Sequence, residues 1–320
     1  MSKHILMVSA HCCIRVRKQA QALKDRGYIV DSVSHERPHD VSVFNKFIVS
    51  PKFNDMWKDI QRSHSDIIHV HNEPDSLMYQ ADKGANGRPI IYDCHDLEWY
   101  RVGHVSPQEE FAFKRADGIV HVSEEHGQKA WDLHPWDCPD TLIYSCPPKS
   151  WIPKIENSTR EGVVYEGGLT IPGETRFNWR DHSRLAEVFK IAEIPLDFYA
   201  AELYKRYYPR HKGYLPYFQL LERLHNYKYG FVGTAEYTEK WLAIVPNKMW
   251  EYAACGVVPI IMNAPAALKV FGPGTIHADS LKEIVPMIRE ANYEELKSQM
   301  VPKYMEDEIV KLEELYNHLL

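Results

Sequence analysis

No run of apolar residues in this chain approaches the roughly 18 that would cross a bilayer as a helix. The N-terminus offers only Ile5 to Ala10, interrupted by Ser9, with no cleavage-type segment after it. The expectation is a cytoplasmic protein without stable membrane insertion. Paired cysteines are also missing. The six fall at 12, 13, 94, 138, 146 and 255, with no C-x-x-C spacing, so they read as free thiols. In His11-Cys12-Cys13 the adjacent cysteines would point to opposite faces of an extended segment, which argues against a structural metal site. Excess positive charge is absent: 38 Lys and Arg against 44 Asp and Glu give −6. That is not the balance of a nucleic-acid binder, although it leaves room for a local basic patch. Finally, the turn Ser9-Ala10-His11-Cys12-Cys13-Ile14-Arg15 holds no glycine, and neither G-x-G-x-x-G nor a Walker A sequence occurs. A nicotinamide dehydrogenase is thereby disfavoured.

What is present is an ordinary globular composition, 44% hydrophobic and 26% charged over 320 residues, long enough for two domains of roughly 150. Short apolar runs alternate with helical patterns. His4 to Ser9 reads as a buried strand. Arg15 to Asp25 follows as a helix with Val16, Ala20 and Leu23 on one face, and Tyr28 to Val33 completes a β-α-β unit. Ile67 to His71, Pro89 to Tyr92 and Gly118 to Ser123 continue as strands. Between Pro147 and Arg160 the pattern dissolves into prolines and polar residues, a linker composition. A second series follows: strands at Gly162 to Tyr165, Leu196 to Ala200 and Tyr229 to Val232, with helices at His182 to Ile191, Tyr217 to His225, Ser280 to Arg289 and Met305 to Leu320. The expected fold class is α/β, with two Rossmann-like doubly wound parallel sheets, residues 1–150 and 151–304, whose strands end at a shared cleft.

The most informative stretch runs from Pro246 to Ile261. Pro246 and Asn247 open a helix, Gly256 stops it, and Val257 to Met262 is a short buried strand. A helix opening at a loop favours a phosphate, and Lys248 adds a full charge beside it. Glu251, three residues on, shares its face and can accept hydrogen bonds from nearby hydroxyls. The same two residues would also suit a plain surface ion pair. In the first half, Asp66 to Asp75 and Ile90 to Glu98 each run from a strand into a polar loop. His69 and His71 lie two apart and would share a strand face, but no third metal ligand is spaced to join them. His95 with Asp96 stands at a strand end, where an imidazole can bind hydroxyls or carry a proton. Ser123 suits either a cleft or a helix cap.

Pro246-Asn247-Lys248-Met249-Trp250-Glu251-Tyr252-Ala253-Ala254-Cys255-Gly256 resembles the Pro-Asn-Lys-x-x-Glu-Tyr-x-Ala-x-Gly signature of retaining GT-B glycosyltransferases of the family 4, or group 1, type. The run from Asp66 to Leu97 is similar to their first domain. The resemblance implies a glycosyltransferase that moves a sugar from a nucleotide diphosphate sugar to a hydroxyl acceptor. Lys248 would meet the diphosphate and Glu251 the ribose, beside Asn247. Gly167 and Gly168, which let a ligand approach the backbone, would carry the donor with Arg176 or, failing that, Arg180. His95 and Asp96 would stand at the reaction centre, and His11, Arg15, His71 and Asn72 on the acceptor side. The final helix, 305–320, would cross back to the first domain. No cofactor or metal is implied, because the cations would neutralise the leaving diphosphate. Many retaining members carry a second glutamate eight positions before Glu251, where this chain has Ala243, so the donor sugar is left open. A glycan or lipid-linked glycan is the expected acceptor. The basic, tyrosine-rich segment Glu202 to Lys228 keeps hydroxymethylated DNA as an alternative, and an epimerase or a silent nucleotide-sugar binder would share the fold.

Overall fold

The computed structural model describes residues 3–38, 40–155, 158–175, 178–235 and 239–320. It divides into two compact units, Met1–Pro148 with Met305–Leu320, and Lys149–Tyr304.

In the first unit, β1 (His4–His11), β2 (Ile29–Glu36), β3 (Lys46–Val49), β4 (Ile67–His71), β5 (Ile90–Asp93), β6 (Gly118–His121) and β7 (Asp140–Leu142) form one sheet. The order is β3-β2-β1-β4-β5-β6-β7, and every pairing is parallel. The connections carry α1 (Ile14–Asp25), α2 (Met56–Arg62), α3 (Leu77–Gly84), α4 (Glu98–Val102), α5 (Pro107–Arg115) and α6 (Glu124–Leu133). Each residue of β4 and β5 is buried, as expected of central parallel strands covered on both faces. Ser123 caps α6, its hydroxyl accepting the His126 N–H at 3.0 Å.

The second unit repeats the plan. Strands β8 (Val163–Glu166), β9 (Leu196–Tyr199), β10 (His211–Gly213), β11 (Tyr229–Gly233), β12 (Val258–Met262) and β13 (Ile276–Ala278) are ordered β10-β9-β8-β11-β12-β13, again all parallel. Around them lie α7 (Ser183–Ile191), α8 (Tyr217–Leu224), α9 (Glu239–Ala243), α10 (Asn247–Ala254), α11 (Pro265–Phe271), α12 (Leu281–Glu290) and α13 (Tyr293–Gln299).

The last helix, α14 (Met305–Leu319), belongs to the first unit and packs on α1 and β7. Ile309, Leu312, Leu315 and Tyr316 recur at helical spacing and are buried there. Each sheet reverses its winding once, between β1 and β4 and between β8 and β11. The crevice at the carboxyl ends of such strands is where open α/β sheets bind ligands.

Candidate functional site

In the second unit the chemistry gathers beyond β8. That strand ends at Glu166, and Gly167 turns away at φ +127°, a conformation glycine adopts without strain. Lys248 reaches this turn from the first turn of α10. Its ammonium donates to the Glu166 carbonyl oxygen at 2.5 Å and lies 3.8 Å from the centre of the Tyr165 ring. A Cβ added to Gly167 would stand 3.1 Å from Lys248 Nζ, and one on Gly168 would stand 3.0 Å from the Arg180 guanidinium. Two cations from distant parts of the chain therefore press against one glycine pair. Glu251 shares the Lys248 face of α10, and its Oε1 accepts a hydrogen bond from the Tyr217 hydroxyl at 3.0 Å.

Lys248 and Glu251 are only 9% and 4% exposed, on a helix otherwise packed through Met249, Trp250, Tyr252 and Ala253. Burying charged side chains costs free energy even when they are paired, so stability does not account for them. Burial pulls the Lys248 pKa down to about 8; Glu166 and Glu251 oppose that fall and Arg180 adds to it. The ammonium is thus held in a partly dehydrated site where an arriving anion would raise its pKa again.

In the first unit the centre is Asp93, the last residue of β5, fully buried. Arg15 Nε donates to both carboxylate oxygens at 3.0 Å, while Arg15 Nη1 donates to the Ile143 carbonyl oxygen at 2.9 Å. Gln19 Nε2 donates to Asp93 Oδ2 at 2.9 Å. Three imidazoles surround the same carboxylate: His71 Nδ1 at 3.5 Å, His95 Nδ1 at 3.6 Å and His69 Nε2 at 3.7 Å. Burial alone would raise the carboxyl pKa, but the Arg15 guanidinium and the histidines hold it well below the usual carboxylate range. Burial drives His71 well below its ordinary pKa, so its ring is neutral. His69 and His71 stack at 4.5 Å with 13° between planes, and His69 Nδ1 is hydrogen-bonded to the Tyr316 hydroxyl of α14 at 2.7 Å.

Asn72 fixes the turn that follows β5. Its Oδ1 accepts the His95 N–H at 3.1 Å and its Nδ2 donates to the Asp96 carbonyl oxygen at 2.8 Å. The His95 ring, 20% exposed, is thereby presented at the strand end above the Asp93 cluster. His69, His71 and Asp93 place ligand-type atoms within 4.8 Å of one another. The third partner that sequence spacing did not offer comes across from β5, where His71 pairs with Asp93. Arg15 and Gln19 already occupy that carboxylate, and their positive charge and donors compete with a cation.

No protein-family model matches the chain, and no curated protein matches it. Solved structures do. Sucrose-phosphate synthase from Thermosynechococcus elongatus is 12% identical over 99% of both chains, with a TM-score of 0.68. HepE from Anabaena, in complex with UDP-glucose, is 12% identical over 99% of both chains, at 0.65. WaaG, a glycosyltransferase involved in lipopolysaccharide biosynthesis, is 9% identical over 96% of this chain and 98% of its own, at 0.64. The chain has the GT-B fold.

Within this GT-B chain, Lys248, Glu251, Gly167, Gly168 and Arg180 come together, with Asn247 as the first residue of α10. Arg176 lies outside the described residues. Ala243 closes α9 and is buried. In the first unit, Asn72 holds the His95–Asp96 turn from the loop after β4, but Asn72 is itself buried, and Arg15 and His71 are buried against Asp93, so all three present little surface to an acceptor. They support His95 from beneath. His11 stands apart and exposed, paired with Glu36 at 2.8 Å. Sequence reasoning missed Asp93, Gln19, Tyr165, Tyr217 and Tyr316. Of these only Asp93 carried a signal, as a carboxylate closing an apolar strand directly before Cys94-His95-Asp96.

Proposed function

We propose that the chain is a retaining glycosyltransferase that moves a sugar from a nucleoside diphosphate sugar to a hydroxyl of a glycan or lipid-linked glycan. The observation that carries this is the convergence of Lys248 and Arg180 on Gly167 and Gly168, with Glu251 on the Lys248 face of α10. The cations suit the diphosphate, and the buried carboxylate suits the ribose hydroxyls. That HepE forms complexes with UDP-glucose and UDP supports a nucleotide-sugar donor for this fold. His95 contacts the reacting sugar, and Asp96 flanks it. The acceptor oxygen bonds to the anomeric carbon on the face from which the diphosphate departs. The bond to the diphosphate breaks with its electron pair going to the leaving oxygen, and a donor phosphate oxygen takes the acceptor proton. Lys248 and Arg180 stabilise the charge that develops, so the reaction proceeds without a metal.

The test is nucleoside diphosphate release from a panel of UDP-, GDP- and ADP-sugars, with and without EDTA, against glycan and hydroxymethylated-DNA acceptors. EDTA-insensitive release accelerated by a glycan, with the anomeric configuration kept, is expected. Acceleration by DNA alone would transfer the assignment to that acceptor. Isomerisation without an acceptor would make the protein an epimerase, and binding without turnover a silent relative.

A further inference from the structure

A groove of about 420 Å³ lies at the edge of the first unit's sheet, beside β7, and the donor and acceptor assignments do not use it. One wall is α6, where Glu124, Gln128 and Trp131 follow at spacings of four and three and so share a helix face. The other is the loop into β7, with Trp136 and Asp137, and the first residue of that strand, Asp140. The size falls within the roughly 300–1,000 Å³ of small-ligand sites.

The groove is built rather than incidental. Glycine inside a helix costs about 1 kcal/mol relative to alanine, yet Gly127 sits inside α6. A Cβ there would stand 2.7 Å from His121 Cδ2, so the glycine makes room for that imidazole. His121 Nδ1 in turn lies 3.4 Å from Asp140 Oδ2. The Trp136 ring is held by Phe113, 5.5 Å away and 18° from parallel, and Phe113 stacks on His134 at 4.6 Å and 9°. Trp131, by contrast, leaves 47% of its surface in solvent.

We propose that this groove binds an uncharged saccharide. Indole rings cover the C–H faces of a pyranose, while carboxylates, amide and imidazole exchange hydrogen bonds with its hydroxyls. The lining holds three carboxylates and no lysine or arginine, which repels phosphate, nucleic acid and anionic glycans. A divalent cation is disfavoured too, because the one metal-type cluster among the described residues is His69, His71 and Asp93. Saccharide binding here does not require the chain to be a transferase.

The test uses the full chain without nucleotide, titrated with malto-, cello-, manno- and xylo-oligosaccharides and followed by saturation-transfer NMR and tryptophan fluorescence. Saturable binding of at least one series is expected, and Trp131→Ala should weaken it about tenfold, equivalent to about 1.4 kcal/mol. The half-exposed Trp131 can be removed without emptying the core, and an unchanged melting curve verifies this. Asp140→Asn should weaken the same series, since it removes a charged acceptor. Nucleotide binding, titrated separately, should be unchanged in both variants, so failure at the groove is distinguishable from failure at Lys248. The proposal is overturned if no oligosaccharide in the panel binds, or if Trp131→Ala binds as the parent does.

Discussion

With Lys248 in the proposed diphosphate role, its dehydrated ammonium predicts a donor affinity that depends on pH in one direction. Burial brings its pKa to about 8 in the free protein, against about 10.4 for an unperturbed lysine. A diphosphate favours the charged form, so the bound-state pKa lies higher. Binding therefore takes up a proton above pH 8 and none well below it. Affinity should be flat up to about pH 7.5, fall about tenfold by pH 9, and continue downward until the bound-state pKa is reached; each tenfold step is about 1.4 kcal/mol. Lys248→Met keeps most of the side-chain volume and removes the charged hydrogen bond, worth roughly 1.5–3 kcal/mol. Its affinity should be on the order of 10–100-fold weaker and level across the same range. Calorimetric titration of UDP and GDP between pH 7.5 and 9.5, in buffers of differing ionisation enthalpy, reads both affinity and proton uptake. A parent protein whose affinity is flat throughout, or a methionine variant that binds as tightly, would refute the phosphate role of Lys248.

His95→Ala should abolish turnover with nucleotide binding largely kept, measured by diphosphate release beside a binding titration; normal turnover would remove His95 from the reaction centre. Gly167→Ala adds a Cβ 3.1 Å from Lys248 Nζ at a backbone φ of +127°, so nucleotide affinity should drop at least as far as stability, and a variant that binds normally would contradict the cradle. Asp93→Asn leaves Arg15 buried without its counter-charge and should cost about 3–5 kcal/mol in denaturant unfolding. Because the Asp93 pKa is depressed in the folded state, its contribution is complete above the unfolded carboxyl pKa of about 4 and is lost as pH falls towards the folded value. The parent should therefore lose stability on acidification and the asparagine variant less so. Tyr316→Phe deletes one buried hydrogen bond to His69 and should cost about 1 kcal/mol, seen as a lowered denaturant midpoint with unchanged slope.

Much of the architecture is legible in the sequence. Central strands such as β1, β4, β5, β11 and β12 are covered on both faces, which leaves short, mostly apolar runs in the sequence, broken in β4 and β5 only by the buried His69, His71 and Asp93, and parallel pairing requires the helical crossovers between them. The edge strands left no such mark. Lys46–Val49 is exposed or half-buried throughout, and β7, β10 and β13 have three residues each, so they exist only because a neighbouring strand offers hydrogen bonds. Likewise the three-residue interval from Lys248 to Glu251 already implied one helix face, since helical geometry is local. That Lys248 meets Gly167, that Gly168 lies against Arg180, and that Asp93 gathers Arg15, Gln19 and three histidines could not be read from spacing. Gly168 and Arg180 meet through the fold of the single connection that follows β8. The other contacts join residues far apart in the chain, and what brings them together is the order in which the strands pair: β8 beside β11, and β4 between β1 and β5.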